Sequence, residues 1–526
     1  MSASTERKNR IAAREAGTDK KTLAAQEEEK KKAKSRRRWT WGTIGVLVLI
    51  LVILLLNSGL MYTATTALTA NGVKYSPAQV NYYYGSDYLH MANQYGSYAS
   101  LLGLDTSLGL SSLKDQECPM TDGGTWRDYF RESAKNDVRQ IRSMLDYAQQ
   151  NGISLSEDEI AAVNAQFEGM EETAQSLGYG SADKLYSMNY GSGVTTEIVR
   201  QATLDGTLAS KAYSEKQDSL SWSEEELEEY YKSLNGDRDL FDFDMAYVSA
   251  ETVETSVKAE DGTESTEMTA DDTSRAEAKS TADAIVMAYR DGDDIEDPRE
   301  RFEAAVQSQT EELPTSRSGY SGSSLSAEYA DWMKAADRKA GDIEVFADGE
   351  ENPAGYTVVM FLNREDNHYP TRSVRHILVK AEADEDGTYS DEAKAAALER
   401  AEEILAEYEA GEKTEESFAA LAEQYSEDSG SNTNGGLYEN IARGQMVEEF
   451  ENFCFADHNP GDTGIVYGES GSYAGYHVMY YVGEGPLYSS YIAKTALQNE
   501  EMTRWAEELE EACEVTEGFG FRFVGK

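Results

Sequence analysis

The apolar pattern divides this chain into unlike stretches. Residues 39–62, WTWGTIGVLVLILVILLLNSGLMY, contain no charged residue, and the run reaches the roughly 20 residues that span a bilayer. Beyond it, YSPAQV predicts a helix start, with Ser76 as N-cap and Pro77 at the first helical position. The tyrosines of NYYYGSDYLHMANQY read as a packed helical face. A Gly/Ser-rich loop follows from about 97 to 124, and helical spacing resumes from Trp126 to Gln150. SEDEI, with Ser156 and Glu159, and SEEEL, with Ser223 and Glu226, have capping-box spacing and open two further helices. Residues 63–236 therefore read as an all-helical region without a catalytic constellation.

From about 237 the pattern alternates strands with helices, and it occurs twice. Ala278, Ala282, Ile285, Val286 and Tyr289 form an apolar stripe ending at Gly292; Ala397, Ala401, Ile404, Leu405 and Tyr408 form the same stripe ending at Gly411. DMAYVSAE (244–251) aligns with RHILVKAE (375–382), RFEAAVQSQTEE (301–312) with SFAALAEQYSED (417–428), and GYTVVMFL (355–362) with GYHVMYYV (475–482). Such sustained correspondence predicts a tandem duplicated α/β domain, 237–366 and 367–484. Within the first copy, AEDGTESTEMTADDTS is acidic and Thr-rich and reads as a disordered insertion. Residues 485–526 close the chain with an amphipathic helix.

Charge sharpens the topology. Residues 1–38 hold 13 Lys/Arg and 6 Asp/Glu, while the whole chain holds 48 and 97. Everything after the basic leader is therefore strongly acidic, which excludes nucleic acid and other polyanions as partners. KSRRR precedes the apolar run and two Trp stand at its edge, as expected for a single-pass anchor with a cytoplasmic N-terminal tail (1–38) and an extracytoplasmic remainder. TATTALTA, just beyond, admits a cleaved signal peptide as the rival reading. The 38-residue leader and the length of the run favour an uncleaved anchor at the cell membrane.

Candidate chemistry is narrow. Cys118, Cys454 and Cys513 are too far apart for a disulfide framework or a CxxC metal site. EADEDG (382–387) lacks a Glu at the twelfth loop position, which is Ala393, and reads as a solvated acidic turn. No metal and no cofactor is expected. The chain has five histidines, four of them between 368 and 477. Met446 and Phe450, four apart, read as one face of a helix.

RHILV, FAALAEQYSEDSGSNTNGG, RGQMVEEFENFCF and GYHVMYYV, in this order over about 370–484, resemble the parvulin-type peptidyl-prolyl isomerases. The wider arrangement resembles the extracytoplasmic foldases PrsA and SurA. The resemblance implies an α+β multidomain chain: a transmembrane helix, a helical chaperone-like region, two parvulin-like domains, and a C-terminal helix that returns to the helical region. It implies that His376 and His477 are paired beneath the site, that Asp428 occupies a position held by Cys or Asp, and that Met446 and Phe450 grip the proline ring. Tyr438, in GGLYE, stands where relatives place a pocket leucine. Partners would be unfolded or newly secreted polypeptides with X–Pro bonds. In the first copy Met245 replaces His376, Thr357 replaces His477, and Leu325 and Tyr329 stand at the Met446 and Phe450 positions. The competing expectation is a non-catalytic chaperone that uses both modules as scaffolds.

Overall fold

The computed structural model describes residues 3–16, 20–57, 59–258, 264–384, 387–471 and 473–526. They fall into two compact units, one of residues 1–220 with 500–526 and one of residues 221–499.

In the first unit residues 39–57 of the apolar run lie within a 38-residue helix, Lys20–Asn57. Among the described residues no helix is long and apolar enough to cross a membrane; the expected anchor continues through 51–58, whose side chains lie outside the described residues. The core is built on helix Trp126–Asn151, which places Trp126, Phe130, Ala134 and Val138 four apart on one buried stripe. Val80, Tyr84 and Tyr88 of helix Pro77–Tyr95 pack against it. Ser76 caps that helix in a capping box with Gln79, with Pro77 in its first turn.

The expectation of an all-helical region needs correction. Strand Leu68–Ala70 pairs antiparallel with Val73–Tyr75 and with Val515–Glu517. Asn71 and Gly72, at φ 45° and 80°, form the two-residue turn that Asn-Gly supports between paired strands. The end of the chain thus joins its beginning, and Cys513, Phe521 and Val524 enter the helical core.

The second unit holds two four-stranded antiparallel sheets. The first contains β1 (Leu240–Ser249), β2 (Thr315–Ser321), β3 (Ile343–Ala347) and β4 (Gly355–Glu365), in the order β2-β1-β4-β3. The second contains β5 (Pro370–Lys380), β6 (Leu437–Ile441), β7 (Thr463–Ser470) and β8 (Tyr473–Leu487), in the order β6-β5-β8-β7. The helices recur as well: α1 (Asp272–Asp291), α2 (Pro298–Gln307) and α3 (Ala327–Lys334) stand where α4 (Asp391–Ala410), α5 (Glu415–Tyr425) and α6 (Glu448–Phe455) stand in the second copy. Ala282, Ile285, Val286 and Tyr289 of α1 are buried over the first sheet, and Ala397, Ala401, Ile404 and Tyr408 of α4 over the second. Helix Glu224–Ser233, at the start of this unit, buries Leu227 and Tyr231 against Ala493.

An ion pair marks the kinship most directly. Asp244 on β1 is buried and accepts from Arg299 of α2 at 3.1 Å. At the equivalent positions the charges are exchanged: Arg375 on β5 donates to Glu415 of α5 at 2.9 Å. The insertion in the first copy is also more ordered than its composition suggests. Thr252–Lys258 pairs with Glu264–Ala270, and Asp271 caps α1 by accepting the Ser274 N–H. Residues 259–263 of that insertion lie outside the described residues.

Candidate active site

The second sheet brings two histidines together by register. His376 of β5 lies opposite Met479, and Leu378 opposite His477 of β8, so the two histidines are diagonal neighbours on one face. Their Nδ1 atoms are 3.0 Å apart, and both residues are buried, 3% and 4% exposed. The loop after α5 adds Asp428, whose Oδ2 accepts from His376 Nε2 at 3.0 Å, from the Ser431 hydroxyl at 2.6 Å and from the Tyr438 hydroxyl at 3.0 Å. Its Oδ1 accepts the Gly430 N–H at 3.1 Å. At the other end, the Tyr473 hydroxyl meets His477 Nε2 at 3.0 Å.

Two glycines make this packing possible. Gly436, at φ 72°, accepts the His376 N–H through its carbonyl, and a Cβ there would fall 2.2 Å from the His376 carbonyl oxygen. A Cβ at Gly468 would fall 2.6 Å from His477 Nε2 and 3.0 Å from the Tyr473 hydroxyl.

Electrostatics orders the chain of hydrogen bonds. The His376 hydrogen bond, aided by Ser431 and the Gly430 N–H, holds the Asp428 carboxyl well below the usual carboxylate range despite partial burial. Burial, reinforced by the neighbouring His376, lowers His477 to about 3, so this ring is neutral at pH 7. An ionised carboxylate only accepts. Donation running toward Asp428 satisfies these contacts. Tyr473 O–H donates to His477 Nε2, His477 Nδ1–H donates to His376 Nδ1, and His376 Nε2–H donates to Asp428. Burial and the adjacent Asp428 raise the Tyr438 phenol, which stays protonated as a donor.

An apolar wall stands over this chain. The Phe450 ring centroid is 5.4 Å from His376 and 5.2 Å from His477, and Tyr438 is 5.3 Å from His376. Met446 packs against the same cluster. The helical-face argument for Met446 and Phe450 is wrong, however. Val447 is the extended N-cap of α6, so Met446 sits in the turn before the helix. Chain reversal, not helical periodicity, brings the pair to one cluster.

All six sequence-derived site residues converge here. Ser431 and Tyr473 were missed. Tyr473, Gly475 and His477 alternate along one strand, so period two would have placed that tyrosine on the histidine's face. In the first copy the corresponding space is filled by its own side chains. Leu325 and Tyr329 are buried with Phe241, Phe243 and Met333, and Met245 packs against them. Among the described residues no cluster of His, Cys, Asp or Glu could hold a metal ion. Cys454 is fully buried, and burial pushes its thiol up to about 12.

Residues 356–480 match the family model described as the PPIC-type PPIASE domain. The chain carries a parvulin-type domain. All six site residues lie within it. Over 111 residues the chain is 38% identical to foldase protein PrsA 1 of Listeria innocua, covering 21% of this chain and 30% of that protein. Over 115 residues it is 36% identical to foldase protein PrsA 3 of Bacillus anthracis, covering 22% and 32%. The chain thus spans about a third of the length of these curated relatives. A crystal structure of the peptidylprolyl isomerase PrsA from Bacillus cereus is 27% identical and covers 28% of this chain and 49% of its own, with a TM-score of 0.18. That of PrsA from Bacillus subtilis is 14% identical and covers 74% and 89%, with a TM-score of 0.29.

Proposed function

We propose that this protein is a membrane-anchored extracytoplasmic peptidyl-prolyl cis-trans isomerase and chaperone that assists the folding of secreted polypeptides. The observation that carries the reading is the hydrogen-bonded chain Tyr473–His477–His376–Asp428 beneath the Phe450 and Tyr438 rings, within the parvulin-type domain. Rotation about an X–Pro amide faces a barrier of about 18–20 kcal/mol because it breaks resonance. The twisted amide is less polar than the planar one, so a dry apolar wall favours it. Phe450 and Met446 would hold the ring while the carbonyl turns. The His477 ring, neutral at pH 7, places no charge at its end of the chain. The Asp428 carboxylate opposes the negative oxygen of the resonant ground state. Such a rotation transfers no group and needs no nucleophile.

The anchor is supported by the basic flank and by the apolar face of helix Lys20–Asn57, where Trp39, Trp41 and Leu47 are largely exposed. The intact protein should resist alkaline extraction from membranes; a soluble, N-terminally trimmed form would contradict the anchor. The chaperone role is assigned to the first unit, whose buried core joins both ends of the chain.

Exchange NMR on an X–Pro peptide tests the isomerase directly. The full chain should accelerate cis–trans exchange, and Met446→Ala with Phe450→Ala should remove the acceleration. The same variant should still suppress aggregation of a proline-free unfolded client. Wild-type protein without effect on exchange would favour the second reading, a non-catalytic scaffold, for which the filled site of the first copy is the precedent.

A further inference from the structure

We infer that Tyr438 is a positioning residue for isomerisation, whose hydroxyl ties the Asp428 carboxylate to the sheet and holds it at the proline pocket; the inference rests on the isomerase reading above. On β6 Tyr438 lies opposite Val374 of β5. Val374 alternates with His376 along that strand, so all three side chains share one face. The backbone around Tyr438 is set on both sides. Before it stand Gly435 and Gly436, at φ 71° and 72°, and the Asn434 side chain bridges the N–H and carbonyl of Leu437. After it the strand bulges. Three steps along β6, Tyr438 to Ile441, match two along β5, Val374 to Arg372, and Asn440 takes up the slack at φ 55°. A bulge beside a site serves to re-aim a neighbouring side chain.

The Asp428 carboxylate has use for such a tether. Its own loop supplies the Gly430 N–H to Oδ1 and the Ser431 hydroxyl to Oδ2, and both donors move with that loop. Among the described residues the sheet supplies two more, His376 Nε2 and the Tyr438 hydroxyl, each 3.0 Å from Oδ2. Ser431 Oγ also stands 3.2 Å from His376 Nε2, so the histidine keeps an acceptor within reach if the carboxylate turns away. The Asp428 side chain is 21% exposed, and water competes for an ionised oxygen that is free to rotate. Tyr438 opposes that rotation from the pocket side, where its ring lies 5.3 Å from His376 and 6.4 Å from Phe450. A charge fixed in advance needs no reorganisation while the amide turns. Ring and hydroxyl thus do different work. A leucine here would supply an apolar wall but no donor.

The test is a double-mutant cycle in the full chain, with kcat and KM read by exchange NMR on an X–Pro peptide. Tyr438→Phe keeps the ring and loses the hydroxyl. Its kcat should fall about tenfold, the scale of one hydrogen bond to a charged group, while KM stays within about twofold of wild type. Tyr438→Leu loses the ring as well, so the same fall in kcat should come with a KM raised at least about threefold. The losses should not multiply. Once Asp428→Ala is in place, Tyr438→Phe or Tyr438→Leu should lower kcat by under about twofold more, because a residue acting through Asp428 has nothing left to hold. Losses that multiply in the double variants would show a packing role and overturn the inference. A Tyr438→Phe kcat within about twofold of wild type would overturn it too, and would leave the isomerase reading standing. Wild-type protein without turnover would overturn both together.

Discussion

Two sheets of one chain, with the same strand order and the same helices, differ in what lies on one face. In the second copy His376 and His477 meet at 3.0 Å and connect to Asp428. In the first, the equivalent positions are Met245 and Thr357, and Leu325 and Tyr329 close the space as core. The exchanged ion pair Asp244–Arg299 and Arg375–Glu415 shows how the scaffold persists. What the scaffold requires is a bridge between the first strand and second helix, whichever end bears the charge. The site is less tolerant, because a directed hydrogen-bond chain needs a defined donor and acceptor at each link. Scaffold and site are thus separable in this fold, and the first copy is what remains when only the scaffold is kept.

The sharpest way to break this contrast is to give the second copy the residues of the first. His376→Met with His477→Thr should lower kcat/KM for an X–Pro peptide by about a hundredfold or more, the scale of removing a preorganised polar group from an active site, while circular dichroism shows the sheet retained. Next in size is the converse. Leu325→Ala with Tyr329→Ala should leave exchange rates intact but destabilise the first copy, at about 2–5 kcal/mol for each truncated core side chain, read by urea unfolding.

Acid should also separate the copies. His477 is held neutral when folded, because burial lowers its pKa to about 3 from the ordinary imidazole value of 6.5. Its contribution is therefore complete above pH 6.5 and is lost as pH falls toward 3. At pH 5 the loss amounts to about 2 kcal/mol. The depressed Asp428 adds to it below the ordinary carboxyl value of 3.8. Residues 237–366 contain no histidine. Amide hydrogen exchange at pH 7 and pH 5 should show protection falling in the second copy and not in the first. The smallest effect is expected from the ion pairs. Arg299→Ala strands the buried Asp244 and should cost about 1–3 kcal/mol. Glu415→Ala should cost under about 1 kcal/mol, because Arg375 keeps two carbonyl acceptors. Equal costs in thermal unfolding would show that the two bridges are not asymmetric in burial.

Much of this architecture was legible because it is periodic. The stripes of α1 and α4, the capping boxes at Ser156 and Ser223, and the alignment of DMAYV with RHILV are all local patterns. The misses share a cause. Strand Leu68–Ala70 is too short to show alternation, and its partner Val515–Glu517 lies more than 400 residues away, so only the Asn71-Gly72 turn could have signalled it. Ser431 joins the site through a loop bend about Asp428, and Met446 through the turn before α6. Such contacts depend on backbone direction between elements, which neither spacing nor composition encodes.

The central claim is that equivalent positions in the two copies do unlike work, catalysis in one and packing in the other. Phe450→Ala and Tyr329→Ala, made separately in the full chain and read by exchange NMR on one X–Pro peptide, compare those positions directly. The account predicts that Phe450→Ala removes the acceleration of cis–trans exchange and that Tyr329→Ala leaves it at the wild-type rate. Exchange that survives Phe450→Ala, or falls equally in both variants, would contradict it.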